Sequence, residues 1–377
     1  FGFLMAAIGS AVGFGNIWGF PYKMGKSGGF TFLIVYIVIA ILVGFIIMMC
    51  ELSLGRKYEL GPIHAYQKAC KKFTWLGWFA VLTPFLIMSF YSVLGGYCIQ
   101  YISVNLAELS FGLQSAFGIE LTGGNTFGAM LTNPLGCVLF TLFFMIMCYL
   151  INKSGAQGIE KFNKVGMPAL FVMLLIVIVR ALTMEGAVEG LKFMFVPGYA
   201  VKAGFIAEAP DFVTVLGTAG GQMFFSLSLA MGAMITYGSF LKKDENIKKS
   251  SGVIVFADTL VAFLAGLAVI PAAVANGIMN GVAVSDISLN GPKLLFVTLQ
   301  DVFAQMGTFG PLFGVIFYAL VLIAAISSAI SLMEVDASCI IDMRAAKGKE
   351  SNRKTVVTCV ALAMFVIAVP ICIDSLG

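Results

Sequence analysis

Residues 9–16 read GSAVGFGN, and the pair Phe20-Pro21 follows shortly after. This stretch lies inside an apolar segment, residues 1–22, that is long enough to cross a bilayer. Each glycine in a helix costs about 1 kcal/mol relative to alanine. The pattern therefore predicts a membrane helix that is interrupted near its middle. Close helix packing is the simpler explanation for any one of these glycines taken alone.

A second apolar segment has the same character. Residues 212–241 contain Gly217, Gly220, Gly221 and Gly232. Two glycine-interrupted segments, each opening a comparable set of spans, are typical of transporters built from inverted repeats. We therefore predict that both segments are unwound in mid-membrane.

The composition of the whole chain agrees with a membrane protein. Of its 377 residues, 60% are apolar and 11% are charged, with a net charge of +4. A soluble domain carries roughly 25% charged residues. Because lipid offers no partner to an unpaired backbone group, such a chain is expected to cross the membrane as helices. The composition excludes a water-soluble enzyme, a disordered chain and an ordinary nucleic-acid-binding protein.

Polar connections rich in Pro, Gly and Lys separate nine apolar segments, which we number as spans one to nine. The spans cover residues 1–22, 30–55, 76–106, 134–152, 165–183, 212–241, 252–276, 309–341 and 355–373. We predict an all-α polytopic membrane protein with three parts. These are a first repeat of five spans, 1–183, an extracellular connection, 184–211, and a second repeat, 212–377, that lacks its last helix.

Lys and Arg are distributed unevenly between the connections. If the loop 56–75 lies inside, the inside loops hold 17 of the 23 Lys and Arg residues and the outside loops hold the other 6. Positively charged loops stay in the cytoplasm, so this bias predicts a cytoplasmic N-terminus.

Three polar side chains within the spans are functional candidates, because such groups are costly in a bilayer unless they are paired. Glu51 ends span two, Asn16 lies in the first interruption, and Asp258 lies early in span seven. Sodium is a hard cation that prefers oxygen ligands, which Asn16, Asp258 and the carbonyls of an unwound helix could supply. The exposed N-termini of half-helices could hold a carboxylate.

Each candidate also has a simpler explanation. Ser327 and Ser328, in span eight, could bond a carbonyl one turn back. Asn16 could cap a helix end, and Glu51 could snorkel to the interface. Asp258 could be an interfacial carboxylate. The residues alone leave these alternatives open.

Four motifs resemble those of the neurotransmitter:sodium symporter family. They are AAIGSAVGFGNIW at 6–18 in span one, ELSLGR at 51–56 in span two, GQMFFSLS at 221–228 in span six, and Ser327-Ser328 with SLME at 331–334 in span eight. The resemblance covers the whole chain and stops before a tenth span, so we expect a truncated sequence. The short loops resemble those of bacterial members, which implies a bacterial plasma membrane. The family fold has two inverted five-helix repeats.

The resemblance implies two sodium sites. The first would use the Ala11 carbonyl, Asn16, Ser226, Asp258 and the carboxylate of the substrate. The second would use the carbonyls of Gly9, Val12 and Ala324 and the hydroxyls of Ser327 and Ser328.

The resemblance also implies a substrate pocket, in which the Tyr91 hydroxyl would bind the substrate carboxylate. Its expected lining is Ala11, Gly13, Gly15, Ile87, Tyr91, Phe225, Ser228, Met231 and Ser328. Gating or structural roles are implied for Glu51, which would bond backbone amides near the breaks, for Gln222, and for Asp342, the acidic half of a cytoplasmic gate.

Differences within the family refine the expected substrate. Members that carry monoamines have Asp where this chain has Gly13, so the resemblance implies an amino acid substrate. Ile87, Phe225 and Met231 would surround its side chain, which favours a hydrophobic or aromatic one.

Two further positions concern the ions and the outer gate. Chloride-dependent members have Asn at the position of Asp258 and Ser at that of Ala262, so we predict chloride-independent transport. Gly19 stands where the family usually has Arg. The outer gate is therefore expected to close differently or to use a neighbour such as Lys23.

The sequence thus predicts a sodium-coupled symporter that works by alternating access, not an enzyme. It is expected to need two sodium ions and no organic cofactor, to bind a small amino acid and the lipid bilayer, and to bind no nucleic acid. The oligomeric state is left open. Two alternatives remain: a proton- or other cation-coupled carrier, or a non-transporting amino acid receptor on the same scaffold.

Overall fold

The computed structural model describes residues 2–112, 122–287, 289 and 291–374. The α-helices in these ranges are α1 (Gly2–Ala11), α2 (Phe20–Lys26), α3 (Phe30–Ile39), α4 (Phe45–Tyr58), α5 (Pro62–Ala69), α6 (Thr74–Phe111), α7 (Gly123–Leu131), α8 (Pro134–Asn152), α9 (Ala156–Leu182), α10 (Ala187–Phe195), α11 (Tyr199–Lys202), α12 (Phe212–Ser226), α13 (Ala233–Ser239), α14 (Ile247–Met279), α15 (Gly291–Lys293), α16 (Leu299–Ala304), α17 (Gly310–Ala345) and α18 (Arg353–Ile373). Short π-helical turns occupy Gly15–Gly19, Ala40–Gly44 and Leu294–Thr298, and 3₁₀ turns occupy Lys71–Phe73, Val284–Asp286 and Gly307–Phe309.

Among the described residues, seven helical runs are long and apolar enough to cross a membrane. They are Phe30–Tyr58, Lys71–Phe111, Pro134–Asn152, Ala156–Leu182, Ile247–Met279, Gly307–Ala345 and Arg353–Ile373. These runs are spans two, three, four, five, seven, eight and nine, and they confirm the all-α polytopic fold class.

Span one is broken, as the sequence predicts. Helix α1 and the run Gly15–Lys26 meet at an angle of 44°, and together they are apolar enough to form one further span. The break falls on Val12 and Gly13, inside the glycine-containing stretch.

Span six is also broken. Helix α12 ends at Ser226 and α13 begins at Ala233, with an irregular segment between them. Ser228, Ala230 and Gly232 in this segment have φ angles of 52°, 62° and 74°. Only Gly232 is a residue that adopts this left-handed backbone at little cost.

Two boundaries differ from the sequence prediction. Span five begins at Ala156 rather than near residue 165. Its first turns carry Lys161 and Lys164 and look like a polar loop, but Glu160 and Lys164 form an i,i+4 ion pair on the helix surface. The connection predicted at 184–211 is itself partly helical, since it contains α10 and α11.

Burial separates the inside of the bundle from its lipid-facing surface. Helix α17 is lined along most of its length by fully buried residues such as Val321 and Met333. In contrast, Ile41, Leu42 and Phe256 are 58%, 61% and 69% exposed. Exposed large apolar side chains of this kind suit contact with lipid chains. The broken helices α1 and α13 pack against α17 and against each other in the interior.

Candidate functional site

The break in span one frees backbone carbonyls in the centre of the protein. In a regular helix, the amides of Gly13 and Phe14 would bond the carbonyls four residues back, on Gly9 and Ser10. Here the Gly13 amide donates to Asn16 Oδ1 at 2.9 Å, and the Phe14 amide donates to the Tyr91 hydroxyl at 3.2 Å. Side chains therefore replace helical acceptors, and carbonyl oxygens become available to other groups.

Hydroxyl groups from α17 reach the carbonyls of the break. The Val12 carbonyl accepts hydrogen bonds from the hydroxyls of Ser327 at 3.2 Å and Ser328 at 3.1 Å. Ser327 also donates to the Ala324 carbonyl at 2.8 Å, so the one-turn-back bond is present as well. The structure thus brings together four of the five expected ligands of the second sodium site. Gly9, the fifth, lies one turn before Val12 on α1.

A second cluster surrounds Asp258, which is 0% exposed and therefore has no contact with solvent. Asn16 Nδ2 donates to Asp258 Oδ1 at 2.7 Å and to Ser226 Oγ at 3.0 Å. Ser226 Oγ in turn donates to Asp258 Oδ2 at 2.9 Å. A carboxylate in the interior requires a compensating positive charge or hydrogen bonds. This set of carboxylate, amide and hydroxyl oxygens is one that sodium, a hard cation, prefers.

A single cavity lies between the two breaks and α6. Its lining contains all nine predicted substrate residues together with Leu332, which the sequence reasoning missed: Ala11, Gly13, Gly15, Ile87, Tyr91, Phe225, Ser228, Met231, Ser328 and Leu332. Tyr91 and the two serines lie beside the freed backbone, and the remaining larger side chains are apolar. The cavity therefore has one polar and one apolar part.

Gly13 has no space for a side chain. A Cβ at this position would lie 2.3 Å from Ser328 Oγ and 2.5 Å from the Tyr91 hydroxyl. Real Cβ atoms do not approach other atoms so closely, so any larger residue would displace polar groups of the cavity.

The break in span six is stabilised by Glu51, which is 7% exposed. Its Oε1 accepts a hydrogen bond from the Ala230 amide at 2.7 Å. Glu51 therefore lies in the interior and does not extend to the interface beside Arg56. Ala230 lies two residues before Gly232, the N-cap of α13, and without Glu51 its amide would lack this acceptor.

The other two predicted gating or structural residues also contact backbone. Gln222 Nε2 donates to the Gly15 carbonyl at 2.6 Å and so connects the two broken spans. Asp342 Oδ2 accepts from the Gly61 amide at 2.6 Å, at the start of α5. Asp342 thus fixes the loop between spans two and three.

Comparison with known proteins identifies the family. The model of the sodium:neurotransmitter symporter family matches residues 1–115 and 114–376. This chain belongs to that family.

Similar proteins agree with this assignment. The symporter is 36% identical to the uncharacterized sodium-dependent transporter YhdH of Bacillus subtilis, over 99% of this chain and 77% of the relative. It is 31% identical to an uncharacterized sodium-dependent transporter of Methanocaldococcus jannaschii, over 100% of this chain and 74% of the relative.

A solved structure is also similar. The crystal structure of MhsT in complex with L-phenylalanine has a TM-score of 0.84 and 33% identity, and the alignment covers 99% of this chain and 79% of MhsT. The symporter is thus a multi-pass membrane protein of a sodium-dependent transporter family, not a family of enzymes.

Uncharged groups join span one to its neighbours at the end where Gly19 and Lys23 lie. Trp18 Nε1 donates to the Gly291 carbonyl at 2.9 Å and connects span one to the segment before α16. A Cβ on Gly19 would lie 3.1 Å from Gln222 Oε1. Within the described ranges Lys23 forms no ion pair. Trp18 was not singled out from the sequence, because its partner is a backbone atom distant in the chain.

An ion pair at the opposite end of the bundle, between spans eight and nine, was also missed by the sequence reasoning. Arg353 at the start of α18 pairs with Glu334 of α17, which is 1% exposed. Ser338 donates to the same carboxylate at 2.8 Å. Glu334 belongs to the SLME motif of span eight, but the identity of its partner depends on how α17 and α18 pack.

Proposed function

We propose that this protein is a sodium-coupled symporter of a hydrophobic or aromatic amino acid that works by alternating access. The observation that carries the proposal is the cavity between the two breaks, which adjoins the Asp258 cluster. In the proposed mechanism, a bundle containing spans one, two, six and seven rocks against the other spans. The protein would lie in the cell membrane with its N-terminus in the cytoplasm, according to the distribution of Lys and Arg.

The residues that line the cavity support an amino acid substrate. The Tyr91 hydroxyl and the break in span one would bind the carboxylate, and Gly13 leaves no side chain in its way. Ile87, Phe225 and Met231 would surround an apolar side chain. MhsT, which is 33% identical, was solved with L-phenylalanine, and this agrees with a substrate of that class.

Two sodium ions are proposed, in agreement with the family. The first would bind at Asn16, Ser226 and Asp258, with the Ala11 carbonyl and the substrate carboxylate. The second would bind at the carbonyls of Gly9, Val12 and Ala324 and at Ser327 and Ser328. The substrate carboxylate would be one of the ligands of the first sodium ion. Sodium and substrate would therefore each strengthen the binding of the other by the same factor.

Chloride independence is proposed on the basis of Asp258. This carboxylate supplies a fixed negative charge inside the protein, next to two of the sodium ligands. A chloride ion would then not be needed to balance the charge of the sodium ions.

Equilibrium binding to the purified full-length protein tests the main proposal. Radiolabelled phenylalanine, leucine, tyrosine and tryptophan are compared in sodium and in choline, with the Asn16→Ala variant alongside. We expect saturable binding that requires sodium and that is lost in Asn16→Ala, which removes the bonds to Ser226 and Asp258. Binding in choline equal to that in sodium would contradict sodium coupling and would favour a proton-coupled carrier or a receptor.

The Asp258→Asn variant tests the chloride proposal. We expect wild-type uptake to be the same in chloride and in gluconate, and uptake by Asp258→Asn to be low in gluconate. Full activity of Asp258→Asn without chloride would exclude a role for the fixed charge.

A further inference from the structure

Asn163 of α9 is a buried side chain with unused hydrogen-bonding groups. It is 0% exposed, and neither Oδ1 nor Nδ2 has a hydrogen-bond partner in the protein. A buried amide without partners costs several kcal/mol on a water-to-hydrocarbon scale, and most such groups in proteins are paired. An apolar residue would fill this position without that cost, so Asn163 requires a separate explanation.

The position of Asn163 suggests one. A Cβ on Gly9 would lie 2.4 Å from Asn163 Oδ1 and 2.8 Å from Nδ2, so the amide directly contacts α1 at Gly9. The Gly9 carbonyl is one of the proposed ligands of the second sodium ion. Asn163, on α9, therefore contacts the residue that would supply this carbonyl.

The same face of α9 continues to the cytoplasmic end of the helix. Glu160, three residues before Asn163, faces Gly2 at the start of α1, where a Cβ would lie 2.3 Å from its Oε2. Residues three apart lie on one side of a helix, about 4.5 Å apart along its axis. The Glu160 side chain is 39% exposed and lies 3.8 Å from Lys164. Oxygen atoms thus follow the α1–α9 contact from Gly9 to solvent.

We propose that Asn163 is a transient ligand for sodium on its way from the second site to the cytoplasm. This inference rests on the proposed function. Asn163 Oδ1 would replace a protein oxygen as the ion leaves the Val12 carbonyl, and Nδ2 would donate to water that enters around the ion. Because the amide is uncharged, it stabilises the ion in passing without retaining it. Glu160 would then receive the hydrated ion at the end of the helix.

The Asn163→Leu variant separates this role from a structural one. Leucine has a similar volume, and the substitution removes no hydrogen bond to the protein. We expect sodium-dependent phenylalanine binding to stay within about threefold of wild type, because the binding sites are intact. Turnover in sodium-driven uptake into proteoliposomes should fall about tenfold, since release would lack its intermediate ligand. Asn163→Ser, which keeps a hydroxyl oxygen, should recover most of the turnover.

A matched control and a second variant make the test decisive. Met167→Leu changes a buried apolar residue one turn further along α9 and should alter neither binding nor turnover. Asn163→Asp should lower the sodium concentration for half-maximal binding at least threefold and also slow turnover, because a carboxylate retains the ion.

The outcomes are distinct. Wild-type turnover in Asn163→Leu, or equal losses of binding and turnover, would overturn the inference. If Asn163→Leu does not fold, unchanged sodium dependence and turnover in Asn163→Asp would overturn it. Wild-type binding that does not need sodium would instead contradict the proposed function.

Discussion

The two breaks in the membrane helices are stabilised in different ways. In span one, the displaced backbone groups bond to side chains of the cavity or of the proposed sodium sites, namely Tyr91, Asn16, Ser327 and Ser328. In span six, the Ala230 amide bonds to Glu51, which is outside both. The rest of the second break depends on left-handed backbone at Ser228, Ala230 and Gly232.

This difference separates two tasks. The bonds at the first break involve the proposed ligands, so binding an ion or a substrate must rearrange them. The Glu51 bond at the second break involves no proposed ligand, so it persists while the ligands change. We infer that the first break senses the ligands and that the second sets the shape of the cavity. Four substitutions test this division, in order of decreasing effect.

Gly13→Ala should have the largest effect, because it acts on the first break directly. The added Cβ would collide with Ser328 Oγ and the Tyr91 hydroxyl. Overpacking costs typically 1–3 kcal/mol, and we expect the upper end, or about a 100-fold loss of substrate affinity. Isothermal titration calorimetry in sodium measures this substrate affinity. Gly220→Ala is the control, since a Cβ there meets nothing within 4 Å. Equal affinity in Gly13→Ala and wild type would show that the cavity is not the substrate site.

Glu51→Ala should act on the second break and reduce stability more than ligand selectivity. It leaves the Ala230 amide without its acceptor, at a cost of about 2 kcal/mol. We expect a lower thermal midpoint with and without sodium and substrate, with the same ligand-induced increase as in wild type. Glu51→Gln keeps an acceptor oxygen, so its thermal midpoint should lie between those of Glu51→Ala and wild type. If Glu51→Ala instead removed the increase on adding sodium, the proposed separation of tasks would be wrong.

Tyr91→Phe should weaken binding and also lower stability, because the buried Phe14 amide loses its acceptor. It removes the hydroxyl that the Phe14 amide bonds, while the edge contact between the two rings, at 4.8 Å, remains. A neutral hydrogen bond contributes about 1 kcal/mol, which corresponds to roughly a fivefold loss of affinity. Tyr318→Phe removes a hydroxyl bonded to the Leu295 carbonyl, away from the cavity, and should not affect affinity. A similar loss in both variants would contradict a specific role for Tyr91.

Ala230→Gly should have the smallest effect, and it should raise stability rather than lower it. Ala230 has a φ of 62°, which is unfavourable for a residue with a Cβ. Glycine relieves this strain but costs more backbone entropy on folding, so we expect a gain of about 0.5 kcal/mol in stability. Ala233→Gly, in the first turn of α13, should destabilise. A lower thermal midpoint for Ala230→Gly would show that the left-handed backbone is not strained.

Much of the fold could be predicted from the sequence, because membrane spans can be recognised as long local runs of apolar residues. Apolar runs located the spans, and glycine with Ser10 and Asn16 marked the first break. The beginning of span five was missed, since Glu160 and Lys164 are charged and their pairing depends on helix geometry. The polar residue that this prediction placed in a loop, Asn163, is the one that contacts Gly9.

The site was predictable to the extent that it follows motifs. Most cavity residues lie in the motifs, Ile87 and Tyr91 lie one helical turn apart in α6, and Met231 lies three residues after the span-six motif, so a family resemblance could locate them. Bonds to backbone atoms were harder to foresee, because Trp18 to Gly291 and Asp342 to Gly61 connect residues distant in the chain. The burial of Glu51 and Asp258 was also hard to foresee, because no local pattern specifies it.

The hydroxyl groups of Ser327 and Ser328 have a further consequence. Both lie within hydrogen-bonding distance of the Val12 carbonyl, which is also a proposed ligand of sodium, and each has a second acceptor, the Ala324 carbonyl for Ser327 and the Ser10 carbonyl for Ser328. An ion bound there would need the same oxygen lone pairs, so each hydroxyl would rotate about its C–O bond and turn its own lone pair to the metal. The Val12 carbonyl would thus exchange a hydroxyl proton for a sodium ion. The net gain in binding free energy would therefore be smaller than the strength of the new contacts. When the ion departs, the same rotation in reverse would satisfy the carbonyl again, so the proposed site would return to its starting arrangement through its own hydroxyl groups.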